Sequence, residues 1–125
     1  MEYFERVMWQ IEPTTQWEKD HRFYEKKHPN ELAAVLRNLE RYLSQLNLAV
    51  NSQAVLAGYL HPEPSGIRAI DQKGGGGNLQ ETRLYTYADD AQKVVFLITI
   101  GNKDSQTSDI ELSKDFVETL RSKSD

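Results

Sequence analysis

The stretch Leu79-Gln-Glu-Thr-Arg83-Leu-Tyr85-Thr-Tyr87, the polar link Ala88 to Lys93, and the run Val94-Val-Phe96-Leu-Ile98-Thr-Ile100 decide the fold. The first segment alternates in polarity, which predicts a strand with one wetter face. The last is apolar on both faces, as a central strand must be when other elements cover both its sides. Gly101-Asn-Lys103-Asp-Ser-Gln-Thr-Ser108-Asp-Ile follows and delivers several polar side chains to the end of that strand. A functional site is expected there.

Working outward, Val7-Met-Trp9-Gln-Ile11-Glu reads as a short strand with Val7, Trp9 and Ile11 on one face, ended by Pro13. Thr15-Gln-Trp17-Glu18 has the form of a capping box and starts a helix over about Thr15 to Lys27. His28-Pro29-Asn30 breaks that helix and opens a second. There Leu32, Val35, Leu36, Leu39, Tyr42, Leu43 and Leu46 keep the three- and four-residue spacing of an apolar stripe. Helices joined by so tight a turn are expected to be antiparallel neighbours hiding one stripe on the strands.

Asn47 to Ser65 is less regular, and His61-Pro-Glu-Pro64 reads as a loop. Gly66 to Lys73 is a candidate strand. The four glycines Gly74 to Gly77 then form a hairpin turn; a phosphate-binding loop would need a following Lys-Ser/Thr at a helix start, and an alternating strand follows instead. Ser108-Asp-Ile-Glu111 is a second capping box, opening a last helix through Leu112, Phe116, Val117 and Leu120. The order strand, helix, helix, three-strand antiparallel meander, helix predicts an α+β fold, a twisted sheet covered by helices. Residues 1–125 form one domain, with 1–6 and 122–125 expected to fray.

Composition narrows the chemistry. With 38% hydrophobic and 27% charged residues the 125-residue chain can bury one core. It has no cysteine, which excludes disulfides, thiolate metal sites and cysteine nucleophiles. His21, His28 and His61 lack the spacing that sets two ligands on one helix face, so neither a metal nor another cofactor is expected. No apolar run is long enough for a bilayer and no secretory signal opens the chain, so a cytoplasmic protein without membrane contact is expected. A net charge of -4 gives no overall attraction to nucleic acid. Any such binding must come from a local basic patch.

The element order and the sequence Val94 to Ile110, with its glycine, Lys103, Ser105-Gln106 and Asp109-Ile110, resemble the RelE/ParE superfamily of bacterial toxins, closest to the HigB-like, phage-derived killer-protein branch. The resemblance implies the toxin of a type II toxin-antitoxin module, neutralised by a cognate antitoxin protein. RelE-like members are metal-independent endoribonucleases that cut mRNA on the ribosome; ParE-like members inhibit gyrase. For the ribonucleases, a ribose 2′-hydroxyl attacks the adjacent phosphate while cations stabilise the phosphorane. By position, the resemblance implies catalytic roles for Arg83 and Lys103, with Arg68 or Lys73 assisting. Tyr85 and Tyr87, on Arg83's face, either stack on a base or stiffen the sheet. Asp109 stands where some members carry a catalytic tyrosine or histidine. A toxin-fold binding protein without nuclease activity, ParE-like or inactive, is the alternative, and an unrelated small α+β protein is the third reading.

Overall fold

A computed structural model describes residues 8–124. The chain runs β1 (Gln10–Pro13), α1 (Thr15–Lys27), α2 (Pro29–Leu48), β2 (Leu60–Pro62), β3 (Ile67–Ile70), β4 (Thr82–Asp89), β5 (Val94–Asn102) and α3 (Gln106–Ser124), with short 3-10 turns at Ser52–Ala54 and Pro64–Gly66. The five strands form one open mixed sheet in the order β1-β5-β4-β3-β2. Strands β2 to β5 are an antiparallel meander, and β1 joins β5 in parallel. The fold is the α+β arrangement that the polarity pattern implies.

Each face of the sheet carries its own core. On one, Trp17 and Tyr24 of α1 and Leu32, Val35, Leu39, Tyr42 and Leu46 of α2 pack on Ile70, Leu84, Val95, Leu97 and Ile100. On the other, Val117, with Ile110, Phe116 and Leu120 beside it, packs on Ile67, Ala69, Tyr85, Phe96 and Ile98. Strand β5 supplies both cores, which explains its apolar residues on both faces.

Local departures from the sequence reading have simple causes. The cap of α1 is Thr14, one residue before the expected Thr15; its hydroxyl accepts from Trp17 N at 3.1 Å and donates to Ile98 O at 2.9 Å. At α2, His28 precedes Pro29 at the first helical position, and Asn30 lies inside the helix. The last helix starts at Gln106, two residues before the expected Ser108. Asn102 Oδ1 shapes that turn by accepting from Asp104 N and Ser105 N at 2.9 and 3.1 Å. The segment expected to be a loop at His61 contains β2, which pairs Leu60, His61 and Pro62 with Ile70, Ala69 and Arg68. Of the face expected for the first strand, Trp9 is buried, Ile11 is exposed on an edge strand, and Val7 lies outside the described residues.

Two features at β5 position the rest. Tyr85 pairs with Thr99 but Thr86 pairs with Leu97, so Ile98 is an extra residue that bulges β5. Strand β1 also covers only Val94 to Leu97. Beyond it, Asp20 of α1 takes over the free edge, accepting from Thr99 Oγ1 at 2.5 Å and Ile100 N at 3.4 Å. Both edge strands end in proline, Pro13 and Pro62.

Candidate functional site

Arg83 sits near the start of β4, on the face it shares with Tyr85 and α3. Its Nη1 is 3.4 Å from Glu63 Oε2 and its Nη2 is 3.4 Å from Glu81 Oε1. Its Nε is buried and has no hydrogen-bond partner among the described residues. Ile70 pairs with Leu84, so Asp71, the next residue, comes beside Arg83 at the end of β3.

Asp71 is the hub of the neighbouring polar group. It is 3% exposed, and its Oδ2 lies 2.6 Å from His61 Nε2 and 3.6 Å from Lys73 Nζ. Its Oδ1 accepts from Lys73 N at 2.8 Å, and Lys73 Nζ donates to Gly58 O at 3.1 Å. His61, Asp71, Lys73, Glu81 and Arg83 line a cavity of about 320 Å³. A carboxylate only accepts hydrogen bonds, so a neutral His61 carries its proton on Nε2 toward Asp71 and leaves Nδ1 as a base. The arrangement thus joins a proton acceptor, an orienting carboxylate and two cations.

The other sequence candidates divide. Arg68 is on the opposite face of the sheet from Arg83, and it donates to Val55 O at 2.8 Å and Gln53 O at 3.5 Å. Lys103 is exposed in the turn after β5, two residues past Gly101, the register partner of Arg83. Tyr85 is fully buried, and burial, followed by the charge of Asp109, holds its phenol protonated well beyond the usual tyrosine range. Tyr87 is half-buried, with the Arg121 guanidinium 5.8 Å from its ring centre. Asp109, in the first turn of α3, accepts from Ser105 Oγ at 2.7 Å. Burial raises its carboxyl above the ordinary value, against the lowering effect of the Ser105 hydrogen bond.

His61 and Asp71 escaped the sequence reading. Taken alone in the sequence, His61 offers only a potential metal ligand, and His61-Pro62 reads as a loop. The ten-residue separation becomes an approach of 2.6 Å only through β2–β3 pairing. Alternation from Ala69 through Asp71 was the one available signal that this carboxylate shares a face with a strand interior.

Among the described residues, no group of three or more His, Asp and Glu is placed to hold a metal ion. None of their helices is long and apolar enough to cross a membrane. The polar row at the end of the meander belongs to an α+β protein with helices on both faces of an open sheet. No family model, no curated protein and no solved structure matches the chain.

Proposed function

We propose that the protein is the toxin of a type II toxin-antitoxin module, a metal-independent endoribonuclease acting on mRNA at the ribosome and restrained by a cognate antitoxin. The observation that carries this reading is the meeting of Arg83, Lys73 and the His61–Asp71 pair at one cavity. In the proposed reaction His61 Nδ1 takes the proton from the ribose 2′-hydroxyl, and Asp71, 2.6 Å from Nε2, holds the imidazole in orientation. The attacking oxygen bonds to phosphorus as the bond to the 5′-oxygen breaks; the leaving oxygen takes a proton from solvent water and His61 returns its own to solvent, leaving a 2′,3′-cyclic phosphate and a 5′-hydroxyl. Arg83 stabilises the phosphorane, because its planar fork stays charged and can hold two phosphate oxygens at once. Lys73 adds a second positive charge. Lys103, exposed in the turn after β5, is assigned a contact with flanking phosphates, and the position of Arg68 supports a scaffold role instead of the assisting one.

Purified protein added to ribosomes programmed with message should give discrete cuts. Arg83→Ala should reduce them by at least about tenfold. Absence of cuts at every protein concentration would overturn the nuclease reading. A toxin-fold protein that only binds, ParE-like on gyrase or solely on an antitoxin, is favoured by one observation: Glu63 and Glu81 already flank the guanidinium of Arg83. Its mark is growth arrest or complex formation that Arg83→Ala leaves intact.

A further inference from the structure

A second cavity, of about 360 Å³, opens where β3 begins and β4 ends. Tyr42 lines it from α2, fully buried, with a hydroxyl that has no hydrogen-bond partner among the described residues. Buried polar groups are nearly always satisfied, so an unpaired hydroxyl at a cavity marks a place for a bound group. Burial keeps this phenol protonated, pushed up to about 12, and therefore a donor at neutral pH.

The walls say what kind of group fits. Ile67 and the ring of Tyr87 are apolar. Around them stand the guanidinium groups of Arg68 and Arg121 and the carboxylates of Glu63, Asp89 and Asp90, the last already accepting from Ser52 N and Oγ. Arg121 reaches over from α3, its Nη2 donating to Ser65 O at 3.1 Å, and so closes one side. A flat ligand with apolar faces and an edge that both donates and accepts hydrogen bonds suits such a lining, and single-stranded RNA offers this in its unstacked bases. The volume lies within the usual range of small-molecule pockets, roughly 300–1,000 Å³.

Glu63 connects the two cavities: it lines this one, and its Oε2 is 3.4 Å from Arg83 Nη1. One carboxylate side chain therefore separates the Tyr42 cleft from the guanidinium. We infer that the Tyr42 cleft is a base-binding subsite, taking the nucleobase of a ribonucleotide whose phosphate lies at Arg83. This rests on the RNA-cleaving reading for its biological setting, but binding can be measured without cleavage.

The test uses the full isotope-labelled chain, with backbone amide shifts followed on adding each of the four ribonucleosides, their 5′-monophosphates, or inorganic phosphate. At least one ribonucleoside should shift the amides of Ile67, Arg68 and Tyr87 to Asp89. Tyr42→Phe removes only an unpaired hydroxyl, so it should keep the fold while weakening that nucleoside by about fivefold, the scale of one hydrogen bond. Inorganic phosphate should respond at Thr82 to Leu84 equally in both proteins. Nucleosides that shift no cleft amide, or that bind Tyr42→Phe as tightly as the parent chain, overturn the subsite. Phosphate responses alone would overturn it and leave the Arg83 site standing, whereas nucleoside binding without RNA cleavage would support the subsite and sink the nuclease.

Discussion

The carboxylate of Asp109 occupies the space above Gly101, so that a side chain at position 101 would overlap both Asp109 Oδ2 and Ser105 Oγ. The last strand and the last helix can meet so closely only because position 101 has no Cβ. Gly101→Ala is expected to force the start of α3 away from the sheet and to cost about 1–3 kcal/mol, as overpacking does. Urea unfolding of the variant beside the parent chain measures this; an unchanged midpoint would show that the helix start yields freely.

Asp109 itself gives a dependence on pH. Its carboxyl is raised above the ordinary value of 3.8, so the folded chain holds that proton longer than the unfolded chain does. More protons bound by the folded state means that this group's contribution falls as pH rises from 3.8 through its folded value, and stays reduced above it. Asp109→Asn should therefore lose less stability than the parent across that interval and be the more stable at neutral pH. Unfolding midpoints followed from acid to neutral pH check this, and parallel curves for the two proteins would refute it.

Asp20 is the other carboxylate on which the packing depends. It satisfies the backbone N–H of Ile100 and the hydroxyl of Thr99 where β1 no longer covers β5. Asp20→Ala leaves both without that acceptor and is expected to destabilise by about 1–3 kcal/mol. Amide exchange should accelerate most at Ile100, with Val95 protected as before; uniform acceleration would mean that Asp20 has no local role.

For the proposed chemistry, His61→Gln removes the proton acceptor while keeping a polar side chain of similar size. Cleavage should drop by about 10²-fold, the usual scale for general base catalysis. Asp71→Asn should weaken cleavage too, by loosening the orientation of the ring, and a pH–rate profile identical to the parent's in both variants would remove His61 from the reaction.

Much of the architecture was legible because strong periodicities carry it. The stripe from Leu32 to Leu46 buries where spacing puts it, and the doubly apolar Val94 to Ile100 is the strand between two cores. What pattern could not show was pairing. Three residues make β2, too few for alternation to register, and Pro62 argued against a strand although an edge position tolerates it. The caps slipped by one or two residues because Thr14 and Thr15 are chemically equivalent candidates and only geometry selects between them. The same limit applies at the site. Arg83 and Lys73 could be nominated as cations, but that Arg68 turns to the other face, and that His61 meets Asp71, depend on register.

The prolines that finish β1 and β2 have a consequence for how the protein meets other chains. Both outer margins of the sheet are short and terminate in a residue with no N–H to offer, so ribbon-like extension by a borrowed strand finds little to grip. Polymerisation through those margins is disfavoured from the outset.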